Sequence, residues 1–498
     1  MPGFSGVGFP PMKKRSLYLA VVACHGLACA CWVGLARAVA PPVLAEAYRG
    51  RSLPALNRVF QRRIHHPLGH YLNLWSDLTN AVALGILLHL ALVLLALATD
   101  RGAGGPTIPG GRGRAWRLSA FSACFLLVTV LSGPRHDYAA FVEIWDAMRR
   151  GEGPWYVAAH LGYSLNAYGP LFNALAPPAW WNPLAPKLLF SSAYLAFVTA
   201  FVRARETPEG GPPSRRATAW LVGPFCWVEV AYFGHFDVLV AIACALAVSY
   251  RRRDRDVASG VALGVGFLLK FLPLAVLPFL AFGRPRVRVR LLGAAALVMA
   301  AGMAFGWMVW GDPVFGPLGF ARARPSALAS VFRFLRGAYS PLRLVTDVPD
   351  LDRYSGPAML AAGAAVFLAC QVRKAPPETA AVVSVLTALM FYQVGFPQYQ
   401  ILLFLLLSTW CRTHAGLLSA RPWLGLIIDG YLGWFTAFDL VYCYAGGVLH
   451  PGDPLAWLDE VAGLPTFVLS VLLLAGMLSA TTRRGGGRPP PPGVKARG

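Results

Sequence analysis

Residues 251–290 read RRRDRDVASGVALGVGFLLKFLPLAVLPFLAFGRPRVRVR. An apolar run from 257 to 282 lies between two basic flanks: Arg251, Arg252, Arg253 and Arg255 before it, Arg284, Arg286, Arg288 and Arg290 after it. Lys and Arg collect on the cytoplasmic side of a bilayer, so both flanks belong on one side and the run does not cross. Lys270 and Pro273 interrupt it, and proline ends or kinks a helix because it lacks the N–H and crowds the preceding turn. The stretch therefore predicts a re-entrant-like hairpin of two short helices with Lys270 at its apex.

The rest of the chain agrees with a membrane setting. Of 498 residues, 56% are hydrophobic and 14% charged, with a mean hydropathy of +0.53. Soluble domains carry about 25% charged residues, so this chain cannot cover a soluble surface of its size. Soluble enzymes, disordered proteins and disulfide scaffolds are excluded. The nine cysteines sit in or beside apolar runs with no CxxC or zinc spacing, where free cysteine acts as a small hydrophobe.

A spanning helix needs about 20 apolar residues. Twelve candidate runs lie near 16–40, 75–98, 116–132, 186–202, 217–233, 237–250, 291–311, 356–372, 378–395, 399–412, 422–443 and 463–480. The expected fold is all-α: about 12 spans plus the hairpin, both termini cytoplasmic, in one transmembrane domain over 1–482 with a Gly/Pro-rich cytoplasmic tail over 483–498. This arrangement puts 28 of the 45 basic residues but 6 of the 23 acidic ones on the cytoplasmic side. The net charge of +22 thus sets orientation and is no nucleic-acid footprint. Chemistry is expected on the opposite face, in loops 133–185 and 312–355 and the short turns near 234–237 and 396–400.

Polar residues with chemical potential recur on that face. Asp137, in Gly133-Pro-Arg-His136-Asp137-Tyr138, can act as a general base held between charged neighbours; it can equally pair with Arg135 or cap the helix that follows. Tyr138, Phe141, Val142, Trp145 and Met148 recur at helical spacing and predict an amphipathic helix. Asn166 and Tyr168 can bind a sugar or shape a turn before Gly169-Pro170. His235 and Asp237 join two helices almost without a loop, as a functional pair or as a local lock; polar groups there are costly unless paired. Lys270 can hold an anion as a point charge or snorkel to the interface. Gln398, Tyr399 and Gln400 offer amides and a phenol, for sugar hydroxyls or for helix ends. Arg322, Arg324, Arg333, Arg336 and Arg343 are candidates for holding a phosphate or an anionic lipid head group.

Taken in order, these pieces resemble the GT-C glycosyltransferases, multispan enzymes that use sugars carried on polyprenyl phosphates. The resemblance is to the bacterial family 87 mannosyltransferases and the first mannosyltransferase of GPI-anchor synthesis. Asp137-Tyr138 is similar to the family's outer-loop acidic motif. Gly153-Pro-Trp-Tyr156 and Tyr168-Gly-Pro170-Leu-Phe172 resemble its "Gly-x-Pro-Tyr" and "Tyr-x-Pro-Leu" stretches. Gly234-His-Phe-Asp237 looks like its "Gly-x-x-Asp" turn, Lys270-Phe-Leu-Pro273 like "Lys-x-x-Pro", and Gln398-Tyr399 like its late "Gln-Tyr". The motif core covers 133–410.

The resemblance implies a multi-pass cell-membrane enzyme, as in the bacterial plasma membrane, with its active site facing outside. It would move a hexose, mannose by analogy, from a polyprenyl-phosphate donor to a hydroxyl of a glycolipid, glycan or protein acceptor. Asp137 would be the base, with His136, Tyr138, Tyr168, His235, Asp237, Lys270, Gln398 and Tyr399 binding substrate. GPI-type relatives carry Asp-x-Asp where this chain has Arg135-His136-Asp137, so no metal or other cofactor is expected. Membrane lipids are the other partners, and nucleic acid is not one. The alternative class is a secondary transporter or glycolipid flippase. That class predicts matching interrupted helices in two halves, whereas only 257–282 is interrupted.

Overall fold

The computed structural model describes residues 111–132, 134, 136–155, 166–203, 215–282, 286–317, 326–337, 351–446 and 460–481. The predicted spans 16–40 and 75–98, Arg135, the side chain of His136, Tyr156, Arg322, Arg324, Arg343 and the tail 483–498 lie outside them. The eleven longer described helices are α1 Gly111–Ser132, α2 His136–Arg149, α3 Ala185–Arg203, α4 Asp237–Arg252, α5 Asp256–Leu269, α6 Val289–Trp310, α7 Ser355–Val372, α8 Pro377–Phe391, α9 Gln400–Thr413, α10 Pro422–Gly446 and α11 Gly463–Thr481. Two-residue strands β1 (Ala327–Leu328) and β2 (Val394–Gly395) pair in parallel. Otherwise the described chain is built from helices and turns, as an all-α fold requires.

Burial separates two kinds of helix. In α8 every residue from Glu378 to Met390 is buried, and in α9 all but Thr409 from Gln400 to Cys411. A helix apolar on every side belongs inside a bundle. In α6, by contrast, only Leu291, Ala295 and Gly306 are buried, leaving an apolar surface suited to lipid.

Among the described residues four helices are long and apolar enough to cross a membrane: Ala185–Arg203, Val289–Trp310, Leu351–Val372 and Gly463–Ala480. Ten of the twelve predicted spans fall on described residues. The difference lies in helices such as α4, α8 and α9, of 16, 15 and 14 residues. At 1.5 Å per residue they measure roughly 21–24 Å, short of the ~30 Å hydrocarbon core. One predicted span, 217–233, is not a continuous α-helix. It consists of Arg215–Leu221, a break at Gly223, a turn at Pro224–Cys226 and a π-helix at Trp227–Tyr232, because Pro224 cannot donate to the preceding turn.

The hairpin has one full arm. Helix α5 ends at Leu269 and Lys270 is extended, at φ −158° and ψ 138°. Proline-interrupted turns follow at Leu272–Ala275 and Leu277–Ala281. The two basic flanks meet at its base: Arg288 reaches Asp254 at 3.2 Å and Asp256 at 3.4 Å, and Arg251 reaches Asp254 at 3.2 Å. At its other end α5 stops beside the residues that start α4, so Lys270 and Asp237 lie together.

Candidate active site

Helix α2 places Asp137 in its first turn, with its side chain about one-third exposed. Two groups address its Oδ2 atom. Gln398 donates from Nε2 at 3.0 Å, and Nε2 of His235 lies 3.7 Å away. Gln398 sits in a tight turn, Pro397–Tyr399, that begins α9, and it is separated from Asp137 by 261 positions in the chain.

His235 is buried in the turn before α4. Its Nδ1 lies 2.6 Å from Oε2 of Glu229, and its backbone N–H donates to the carbonyl of Glu229 at 3.0 Å. Burial by itself disfavours the imidazolium, but Glu229 and Asp137 outweigh it and push the His235 pKa up to about 10. The carboxylates on either side favour the charged form of the ring. Gly234 makes the turn possible. It adopts φ +73°, and a Cβ there would lie 2.8 Å from Cγ of Lys187.

The second half of the site is built on Lys270. Its Nζ donates to Oδ1 of Asp237, which lies in the first turn of α4, where a negative charge suits the helix dipole. The ammonium also lies 3.9 Å from the ring centroid of Tyr399, 5.7 Å from that of Phe236 and 5.8 Å from that of Tyr168. These are cation–π distances. An ammonium has three N–H donors, so the pairing with Asp237 leaves capacity for an anion.

Tyr168 reaches Lys270 through a close approach of backbones. The Gly169 N–H donates to Leu269 O at 3.0 Å, and a Cβ on Gly169 would lie 2.2 Å from Leu268 O. Asn166 shapes this approach. Its Nδ2 donates to Pro154 O at 3.2 Å and to Asn173 Oδ1 at 3.0 Å, while its Oδ1 accepts from Tyr168 N at 3.1 Å. Of the two open roles for Asn166, the turn is the one observed.

The structure thus brings together Asp137, His235, Asp237, Lys270, Gln398, Tyr399 and Tyr168. Tyr138 lies apart from them. It is fully buried, its hydroxyl donates to Pro183 O and accepts from Lys187 N at 3.1 Å, and its ring packs edge-on against Phe141, Trp145 and Phe190. The helical stripe turns Tyr138 inward, into packing. Gln400 is likewise tied to Tyr431, which donates at 2.9 Å. Among the loop arginines, Arg333 pairs with Glu460 at 3.5 Å and Arg336 with Asp352.

Two residues escaped the sequence reading. Glu229 is the only acid in the apolar run 217–233, which was the available signal, since an ionisable group inside a membrane segment is functional by default. Lys187 is fully buried and donates to Ser132 Oγ at 2.7 Å and to Tyr232 O. At the start of an apolar run it carries no signal that distinguishes it from an ordinary interfacial lysine.

Residues 166–393 match the model of glycosyltransferase family 87. The family 87 segment contains Tyr168, Glu229, His235, Asp237 and Lys270, and the resemblance seen in the motifs therefore holds over the centre of the chain. Asp137 precedes the segment; Gln398 and Tyr399 follow it. The family 87 match marks the chain as a glycosyltransferase, a membrane protein with a sugar donor and an acceptor as substrates, and lends nothing to the transporter alternative. No curated protein and no solved structure matches the chain.

Proposed function

We propose that this glycosyltransferase moves a hexose, mannose in our reading, from a polyprenyl-phosphate donor to a hydroxyl acceptor on the extracytoplasmic side of the cell membrane. What supports the reading is the turn Gln398-Tyr399: its amide donates to Asp137, and its ring lies 3.9 Å from the ammonium of Lys270. Asp137 takes the proton of the acceptor hydroxyl as its oxygen attacks the anomeric carbon. The bond from that carbon to the phosphate oxygen breaks, its electron pair leaves with the polyprenyl phosphate, and the configuration inverts. Lys270 stabilises the charge that grows on the departing phosphate in a partly dehydrated setting, where fixed donors are most effective. Tyr168 and Tyr399 offer flat apolar faces with hydroxyl edges, suited to a sugar ring. A single acid at position 137 supports a reaction without a metal.

The test is turnover of undecaprenyl-phosphate mannose by the purified protein in detergent, read as release of undecaprenyl phosphate with candidate acceptors present. An Asp137→Asn variant that inserts and folds should lose about 10²–10⁴-fold in kcat, the usual worth of a general base. Normal transfer by that variant would remove Asp137 from the role.

A further inference from the structure

Glu229 plays no part in the scheme above, yet its placement is costly. A carboxylate that is 1% exposed within an apolar helical run is tolerated only when it is paired. Here both contacts go to one residue: the side chain holds His235 Nδ1 at 2.6 Å and the backbone carbonyl holds the His235 N–H at 3.0 Å. The segment carrying Glu229, Trp227–Tyr232, is a π-helix, a rare geometry that appears most often at functional sites.

We propose that Glu229 is a positioning residue of the transfer reaction, fixing the imidazole of His235 through Nδ1 so that Nε2 faces Oδ2 of Asp137. The inference rests on Asp137 as the base. With the ring fixed, Oδ2 of Asp137 accepts from Gln398 and faces the Nε2 edge of His235 at 3.7 Å, two groups from different parts of the chain that together favour one orientation of its carboxylate. Contacts of this kind are often long before substrate binds and tighten afterwards, which suits the 3.7 Å separation. The charged groups around His235 are Glu229 on the π-helix and Asp137 on α2. Asp237 and Lys270 lie beyond Phe236, and Lys187 packs on the neighbouring Gly234. Glu229 holds the Nδ1 side of the ring.

The test uses full-length wild-type, Glu229→Gln and Glu229→Asp proteins in detergent, with histidines labelled at the ring carbon and the His235 signal assigned through His235→Asn. Two quantities are read: the His235 titration by NMR, and the pH profile of kcat with undecaprenyl-phosphate mannose. Glu229→Gln should move the His235 midpoint down by about one to three units, the usual effect of one nearby opposite charge. Its turnover should fall roughly tenfold or more at pH 8 and less at pH 6, a fraction of what a general base is worth. Glu229→Asp should recover both. A Glu229→Gln protein that is less heat-stable and slower by the same factor at every pH, with the His235 midpoint unmoved, overturns the proposal in favour of simple structural support. Wild-type protein inactive on lipid-linked sugars sinks the Asp137 reading and this inference with it. Active wild-type protein with an unmoved Glu229→Gln profile sinks this inference alone.

Discussion

The ammonium of Lys270 lies 3.9 Å from the ring centroid of Tyr399, although 129 positions separate them in the sequence. Lys270 comes from the break of the hairpin and Tyr399 from the turn that starts α9. Tyr399 also follows Gln398, the residue that donates to Asp137. One turn therefore touches both Asp137 and Lys270, and couples the two halves of the site.

Removing that ring tests the cage. A Tyr399→Leu variant forfeits a cation–π contact worth about 0.5–2 kcal/mol. At 1.4 kcal/mol per factor of ten, KM for the lipid-phosphate donor should rise roughly 2- to 30-fold with a smaller change in kcat. Steady-state kinetics with undecaprenyl-phosphate mannose measures this, and an unchanged KM would separate Tyr399 from donor binding.

Tyr138 provides the opposite case. Its hydroxyl bridges Pro183 O and the buried Lys187 N, so Tyr138→Phe leaves these backbone groups, one of them buried, short of a partner. The expected cost is about 1–3 kcal/mol of stability, read as a lower midpoint of thermal unfolding in detergent, with kcat and KM kept at a permissive temperature. A raised KM without loss of stability would restore Tyr138 to the substrate.

Gly169 should not accept a side chain. Its Cβ would lie 2.2 Å from the carbonyl oxygen of Leu268, which is backbone and cannot swing away. Gly169→Ala should cost about 1–3 kcal/mol, as overpacking does, and should pull Tyr168 away from Lys270. Thermal unfolding together with donor KM reports both effects. A variant that matches wild type in both would mean the two segments do not touch.

Metal removal should leave the reaction running. Position 135 holds arginine where an Asp-x-Asp pair would place an acid, and Asp237 already faces the ammonium of Lys270. Turnover should survive EDTA. A loss restored by magnesium or manganese would show that the site uses a metal.

The amino-acid sequence alone determined the membrane class, the all-α fold, the family resemblance and most of the polar residues now seen together. Those properties follow from local composition: charge scarcity, apolar runs of measurable length, basic flanks around 257–282, and short motifs such as Gly234-His-Phe-Asp237. Apolar runs alone do not fix a helix's length: α8 and α9, of 15 and 14 residues, are apolar because they are buried inside the bundle, and burial and lipid select the same side chains. Tertiary structure alone decided which residues face one another. It turned Tyr138 into the core, spent Arg333 and Arg336 on Glu460 and Asp352, and set Glu229 behind His235. Pairing is settled by how helices distant in the chain pack, and a run of 17 mostly apolar residues does not say which of its sides its one acid will face.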